Sequence, residues 1–125
     1  MEFTYMKILV VDDSSTMRRI IVNTLGKIGY KNISQAEDGK DALNVVNKEG
    51  PFELVVTDWN MPNMSGLEFV LKFRETDKDT PILMVTTNAT KEDVIEALKA
   101  GVNHYVVKPM TPETLHQKIN QIIGK

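Results

Sequence analysis

Four apolar runs in this sequence end on polar residues that can do chemistry. The runs end on Asp12-Asp13, on Asp58, on Thr86 and on Lys108, which supply three carboxylates, a hydroxyl and an amine. If the runs are parallel strands of one open sheet, their carboxyl ends lie on the same edge, where ligands of such sheets bind. We therefore expect these five side chains to converge.

Converging carboxylates repel one another unless a cation joins them. Hard oxygen ligands with few protein contacts suit Mg²⁺, which keeps several waters and binds phosphate oxygens. Beside such an ion, Asp58 can attack phosphorus and form an aspartyl phosphate. The ion and Lys108 would neutralise the charge of the transferred group, and Thr86 would donate a hydrogen bond to it. This chemistry predicts a magnesium-dependent phosphoacceptor.

Each of these residues also has a simpler interpretation when it is taken alone. Asp12 or Asp13 can be the N-cap of a following helix. Asp58 can be an ordinary residue between a strand and a loop, Lys108 a solvated lysine, and Thr86 a β-former at a strand end. The functional hypothesis depends on their coincidence at one edge of the sheet.

Apolar strands alternate with amphipathic helices five times along the chain, which predicts an α/β fold: a doubly wound parallel sheet with helices on both faces. Long apolar runs are typical of strands that are covered on both sides. The predicted strands cover residues 8–11, 32–36, 54–58, 82–85 and 105–107, and the fourth ends on Thr86-Thr87.

Capping signals predict where several helices begin and end. Ser65 and Glu68 have the spacing of a capping box, and Thr111 is an N-cap followed by Pro112 at the first helical position. Gly29 is expected to end the first helix.

Two further expectations concern local structure. The buried stripe of the first helix includes Ile20, and that of the third is expected at Leu67, Val70 and Leu71. Asp38-Gly39 is expected to form a turn.

Length and composition restrict the class of protein. The chain has 125 residues, of which 42% are hydrophobic and 26% charged, as in one globular domain. A net charge of -2 without a basic face argues against a nucleic-acid partner, and no apolar run is long enough for a membrane span. There is no cysteine, which is consistent with a protein of the cytoplasm.

We interpret residues 1–5 as a candidate leader and residues 6–125 as the domain.

The sequence resembles the response-regulator receiver domains, in particular the single-domain chemotaxis regulators among them. The matching stretches are residues 8–14, 57–62, 81–86 and 105–109, and the resemblance extends over the chain from Met6 onward. It implies a flavodoxin-like five-stranded parallel sheet, of strand order 2-1-3-4-5, with five helices.

The resemblance also implies roles for the residues at the strand ends. Asp58 would accept a phosphoryl group from the phosphohistidine of a sensor histidine kinase. Asp12, Asp13, Asp58 and the backbone carbonyl of Asn60 would hold Mg²⁺, and Lys108 would pair with the phosphoryl group. The protein would then be a self-phosphorylating and self-dephosphorylating signalling protein, not a turnover enzyme.

By the same resemblance, Thr86 and Tyr105 form a switch pair: the hydroxyl moves toward the phosphate and the ring turns inward. Asn60 and Asn88 occupy the positions that set the rate at which the phosphoryl group is lost. At the position of Asn88 the family often has an acidic residue. The surface made by the helix beginning near Lys91, the last strand and the final helix would bind a partner. A flagellar motor switch protein is the leading candidate, and a phosphatase is a further expected partner of the monomer.

Three alternatives stay open at this point. A metal-dependent phosphohydrolase with an aspartate nucleophile needs a general acid, but the haloacid-dehalogenase-like pattern would place an aspartate at Asn60. A flavodoxin-like cofactor binder needs a loop that binds phosphate after the first strand. Here that loop opens with Asp12 and Asp13, whose negative charges would repel phosphate. A phosphorelay intermediate would use the same aspartate and pass the group to another histidine.

Overall fold

A five-stranded parallel sheet forms the centre of the protein. The computed structural model describes residues 5–123, and the candidate leader falls almost entirely outside them. The strands are β1 (Lys7–Val11), β2 (Asn32–Ala36), β3 (Leu54–Thr57), β4 (Ile82–Thr86) and β5 (His104–Val107). Each strand is short, and the three central strands, β1, β3 and β4, are mostly apolar and buried along nearly their whole length.

The strand order is β2-β1-β3-β4-β5, with every neighbouring pair parallel, which confirms the predicted architecture. The chain moves outward from β1 to β2 and then crosses back to β3, so the order reverses between β1 and β3. That reversal opens a crevice beyond the carboxyl ends of these two strands. The polar residues that follow β1 and β3 therefore meet at this crevice.

Five helices cover both faces of the sheet. The predicted N-caps are confirmed: Ser65 and Glu68 form a full capping box, and Thr111 caps a helix that begins with Pro112. Gly29 has φ of 119° and ends the first helix as expected. The helices are α1 (Ser15–Ile28), α2 (Gly39–Glu49), α3 (Gly66–Phe73), α4 (Lys91–Ala100) and α5 (Pro112–Ile122).

The apolar side chains form two cores, one on each face of the sheet. Leu9 and Val55 point to the face covered by α2, α3 and α4, whereas Val10 and Val56 point to the face covered by α1 and α5. This alternation follows from the two-residue period of a strand.

Two helical positions that the sequence predicted to be buried are exposed. Leu71 is 51% exposed and Ile20 is 43% exposed. In α3 the buried stripe runs instead through Gly66, Phe69, Val70 and Phe73, one position away from the predicted stripe. The reason is the close packing of Gly66 against the end of β3, which fixes the face that α3 turns to the sheet. A sequence period of 3.6 residues does not itself determine that rotation.

The prediction of a turn at Asp38-Gly39 is wrong. Asp38 is the N-cap of α2, where its side chain accepts a hydrogen bond from the backbone N–H of Asp41, and Gly39 is the first helical residue. An aspartate before a glycine fits either structure.

In residues 5–123, every helix falls short of the length and apolarity that crossing a bilayer requires.

Candidate functional site

The crevice between β1 and β3 brings the predicted aspartates together. Val11 and Thr57 are paired across the two strands, so the residues that follow them lie side by side. The backbone N–H of Asp58 extends this pairing by donating to the carbonyl of Val11 at 2.9 Å. Asp12 and Asp58 are thus placed by the register of the sheet.

Carboxylate oxygens of Asp12, Asp13 and Asp58 lie within 4.8 Å of one another. Asp12 and Asp58 are only 1% and 8% exposed, whereas Asp13 is exposed to solvent. Buried carboxylates at this separation are costly without a counter-charge. The predicted acidic cluster exists, and it is open to solvent on the side of Asp13.

Lys108 supplies the counter-charge from the end of β5. Its ammonium lies 3.0 Å from Asp12 Oδ2 and 3.4 Å from Asp58 Oδ2. The side chain itself is 13% exposed, so these ion pairs are largely shielded from water. The lysine is therefore not the solvated side chain of the simpler interpretation.

The two oxygens of Asp58 have different surroundings. Oδ1 accepts a hydrogen bond from the backbone N–H of Trp59 at 2.7 Å, whereas Oδ2 faces Lys108. Burial raises the pKa of the Asp58 carboxyl above its ordinary value, against the opposing effects of the Lys108 charge and the Trp59 N–H. Asp58 is thus an incompletely solvated carboxylate with one oxygen directed at a cation, which suits a nucleophile.

Asp12 is held by contacts that the sequence did not reveal. Its Oδ1 accepts from the backbone N–H of Ser14 at 2.9 Å, and its backbone carbonyl accepts from the Arg18 guanidinium at 2.6 Å. The N-cap of α1 is Ser14, whose hydroxyl accepts from the N–H of Met17. The capping interpretation of Asp12 and Asp13 therefore fails.

The other predicted site residues meet at Asn88, which follows β4. Its backbone N–H donates to Thr86 Oγ1 at 3.2 Å, and its carbonyl accepts from the Tyr105 hydroxyl at 2.8 Å. Its side-chain oxygen accepts from the Asn60 amide at 2.8 Å. Burial, with the charges of Asp93 and Asp58, raises the pKa of Tyr105 to about 12, so its hydroxyl stays a donor at neutral pH.

Gly66 is a site residue that the sequence analysis treated only as part of a capping box. A Cβ atom at this position would lie 1.8 Å from the backbone oxygen of Asp58, so only glycine fits. The N–H of Gly66 also donates to the carbonyl of Trp59 at 2.7 Å. The available signal was a glycine at the first helical position, because glycine is a poorer helix former than most residues.

The donor set fits a hard divalent cation. Three carboxylates face one ammonium, which leaves negative charge uncompensated in a partly buried crevice. All of these ligand atoms are oxygen, and solvent reaches the cluster at Asp13, which leaves room for bound waters. Asn60 is exposed beside the cluster.

Fold and site together define a doubly wound α/β domain with an acidic, lysine-paired pocket at its switch point. The family model of the response regulator receiver domain matches residues 8–120, so the chain belongs to the response regulator receiver family. This confirms the resemblance that the motifs indicated.

Several of the similar proteins are chemotaxis regulators of the CheY type. The chain is 53% identical to a chemotaxis protein CheY homolog of Campylobacter jejuni, over 95% of this chain and 93% of that one. It is 50% identical to chemotaxis protein CheY1 of Helicobacter pylori, over 95% and 98%. Among solved structures, chemotaxis response regulator CheY4 of Vibrio cholerae has a TM-score of 0.87 at 38% identity, covering 95% of this chain and 99% of that one.

Proposed function

We propose that this protein is the phosphoacceptor of a two-component chemotaxis pathway, with Asp58 as the acceptor. The observation that carries the proposal is the geometry around Asp58: Oδ2 faces Lys108 at 3.4 Å inside a cluster of three carboxylates. The domain that does this is assigned to residues 6–125. A sensor histidine kinase is the expected donor, and the cytoplasm is the expected location of this protein.

The transfer itself needs little from the protein beyond positioning and charge. Oδ2 of Asp58 attacks phosphorus, the bond from phosphorus to the donor's imidazole nitrogen breaks, and that nitrogen keeps the electron pair. Lys108 stays paired with Asp12 and turns its remaining donors to the incoming phosphoryl oxygens. Hydrolysis by water later returns the carboxylate and inorganic phosphate.

The ion assigned to the cluster is Mg²⁺, held by Asp12, Asp13, Asp58 and the backbone carbonyl of Asn60. When bound, it would neutralise phosphoryl charge and bring the donor close to the carboxylate. A CheX-CheY-BeF3-Mg²⁺ complex from Borrelia burgdorferi has a TM-score of 0.89 to this chain at 25% identity, covering 96% of this chain and 90% of that one. That similarity supports a phosphoryl site with magnesium, and a partner that binds the phosphorylated form, such as a phosphatase.

The output surface is assigned to α4, β5 and α5. Ile95, Leu98 and Val107 are exposed there at 41%, 48% and 40%. A phosphoryl group adds nearly two negative charges at the end of β3, and Thr86 is the nearest buried hydroxyl on β4 able to respond. Movement of Thr86 would alter its contact with Asn88, to which Tyr105 is also bonded. A flagellar motor switch protein is the proposed partner of the monomer.

A phosphorelay intermediate remains the second candidate, because it would use the same site. The exposed apolar residues of α4 and β5 favour a regulator that binds a partner. A metal-dependent phosphohydrolase is disfavoured, because Asn60 stands where a general acid is needed and its amide is bonded to Asn88.

The deciding experiment is phosphorylation of the wild type and of Asp58→Asn by acetyl phosphate with Mg²⁺, followed by intact mass. The wild type should gain one phosphoryl group and Asp58→Asn none, since an amide is a poor nucleophile. An adduct on Asp58→Asn at the wild-type level would assign the acceptor to another residue. Repeated turnover of a phosphate ester by the wild type would instead favour the hydrolase.

Metal binding is tested separately by titration with Mg²⁺, using the fluorescence of Trp59, the single tryptophan of the chain and the neighbour of Asp58. Asp13→Ala should lose most of the response, because it removes a ligand. Without metal this variant should be more stable than the wild type, because repulsion within the cluster is relieved. An equal response in both proteins would exclude Asp13 as a ligand.

A further inference from the structure

The segment between β2 and α2 carries a buried carboxylate that the proposed chemistry does not use. Asp38 is only 5% exposed. Its Oδ1 accepts from the backbone N–H of Asp41 at 2.7 Å, which caps α2. Its Oδ2 accepts from the side-chain amide of Asn63 at 2.8 Å, in the loop between β3 and α3. One carboxylate therefore joins a helix end to the loop that follows the phosphoacceptor.

A second contact lies beside the first. The backbone N–H of Gly39 donates to the carbonyl of Met64 at 3.0 Å. A Cβ at Gly39 would lie 2.8 Å from both Met64 Cγ and Met64 O, so the two segments are in direct contact. The contact of Asp38 with Asn63 is therefore part of a packed junction.

Asn63 is the only non-glycine residue with positive φ within residues 5–123, at 67°. This left-handed conformation is unfavourable for most side chains and tolerated best by asparagine and glycine. Its amide contact with Asp38 offsets the cost. The loop from Asp58 to Gly66 is fixed at its first residue by strand pairing and at its last by the close packing of Gly66. Near its middle it is held by the hydrogen bond of Asn63 to Asp38.

The end of β2, just before this segment, contacts the other half of the acidic cluster. The backbone N–H of Asp12 donates to the carbonyl of Ala36 at 3.1 Å, two residues before Asp38. The last residue of β2 therefore contacts the strand end that bears Asp12, and Asp38 and Gly39, which follow it closely, contact the loop that bears Asn60.

We propose that Asp38 is a positioning residue for the phosphoacceptor site, acting through Asn63 to hold the β3–α3 loop where the Asn60 carbonyl can join the carboxylates around a divalent cation. This inference rests on the proposed function. Asp38 touches neither the cation nor the phosphoryl group. It acts on the affinity of the site for Mg²⁺, and through that affinity on the rate of phosphorylation.

Three substitutions separate this role from capping and from general stability. Asp38→Ser keeps a hydroxyl able to cap α2 but cannot serve both partners, so the Asn63 amide loses its acceptor. Asn63→Gly accepts a φ of 67° and removes the amide from the other side. Asp38→Asn should restore both contacts. Its side-chain oxygen can still accept from the backbone N–H of Asp41 and cap α2, and its side-chain N–H can donate to the amide oxygen of Asn63 once that amide has flipped.

Asp77→Ser is the matched control. Asp77 is also a carboxylate that binds backbone N–H groups and a side chain, accepting from the N–H and hydroxyl of Thr80, but it lies at the opposite end of the sheet. Its replacement should lower stability without reaching the acidic cluster.

The experiment measures the Mg²⁺ dissociation constant from Trp59 fluorescence, the initial rate with acetyl phosphate at fixed Mg²⁺, and stability in urea. Asp38→Ser and Asn63→Gly should each weaken Mg²⁺ binding about tenfold, as outer-shell partners of metal sites typically do. The double variant should be no weaker than either single one, and Asp38→Asn and Asp77→Ser should bind like the wild type.

Wild-type affinity in Asp38→Ser or Asn63→Gly would overturn the positioning role and leave the proposed function intact. Equal weakening in Asp77→Ser would also overturn it, since the effect would then come from lost stability. A wild type that neither binds Mg²⁺ nor accepts a phosphoryl group would overturn the proposed function, and this inference with it.

Discussion

The side-chain amide of Asn60 donates a hydrogen bond to the side-chain oxygen of Asn88 at 2.8 Å. The two residues belong to different loops, one after β3 and one after β4, and each is two positions beyond a proposed functional residue. Their bond joins the loop that follows Asp58 to the loop that follows Thr86. We therefore expect it to restrict the approach of water to a phosphoryl group on Asp58.

We expect Asn88→Ala to shorten the lifetime of the phosphoryl group several-fold. The substitution removes the acceptor of the Asn60 amide and opens the crevice to water. The measurement is the decay of the phosphorylated mass after removal of the donor. Asn60→Ala should act similarly, and the double variant should add little to either single change, because both remove one interaction. Fully additive effects would show that the two residues act independently of their bond.

Thr86→Ala should keep phosphorylation but lose most of the gain in partner affinity. Thr86 is fully buried, and its hydroxyl accepts from the N–H of Asn88, whose carbonyl binds Tyr105. The measurement is binding of a flagellar motor switch fragment with and without beryllofluoride and Mg²⁺. Thr80→Ala is the control, since Thr80 is a buried threonine at the other end of the sheet. Equal tightening in Thr86→Ala and the wild type would show that the signal takes another route.

Gly66→Ala should destabilise the protein by about 3 kcal/mol or more, because overpacking at a backbone contact cannot be relieved by a rotamer change. The added Cβ would lie 1.8 Å from the carbonyl oxygen of Asp58, so α3 or the end of β3 must move. Gly26→Ala is the matched control: nothing lies within 4 Å of its Cβ, and alanine in a helix should stabilise by about 0.5–1 kcal/mol. Urea unfolding of both variants checks this, and a neutral Gly66→Ala would contradict the packing.

Asp38→Asn should make stability less dependent on pH in the acid range. Hydrogen bonds from the Asp41 N–H and then the Asn63 amide lower the pKa of Asp38 in the folded protein. A lowered folded pKa gives stability that is fully present above the unfolded value, about 3.9, and is lost as pH falls below it through the folded value. The wild type should therefore exceed Asp38→Asn in stability at pH 7, and the difference should shrink below about pH 4. A constant difference from pH 7 to pH 3 would contradict this.

The sequence by itself determined the order of elements and the edge on which the chemistry lies. Buried parallel strands appear in a sequence as apolar runs. Helix ends are marked by local signals such as the capping box of Ser65 and Glu68. Because the residues after such strands share one edge, the convergence of Asp12, Asp58 and Lys108 followed from chain order and parallel pairing.

Tertiary structure decided what depends on contacts between distant segments. The rotation of α3, which exposes Leu71, follows from the contact of Gly66 with Asp58, and no local period encodes it. The role of Asp38 depends on Asn63, which is 25 residues away and was not singled out by any motif. Local sequence specifies the hydrogen bonds and periods of single elements, whereas the packing of loops at a switch point is settled only when all the strands are paired.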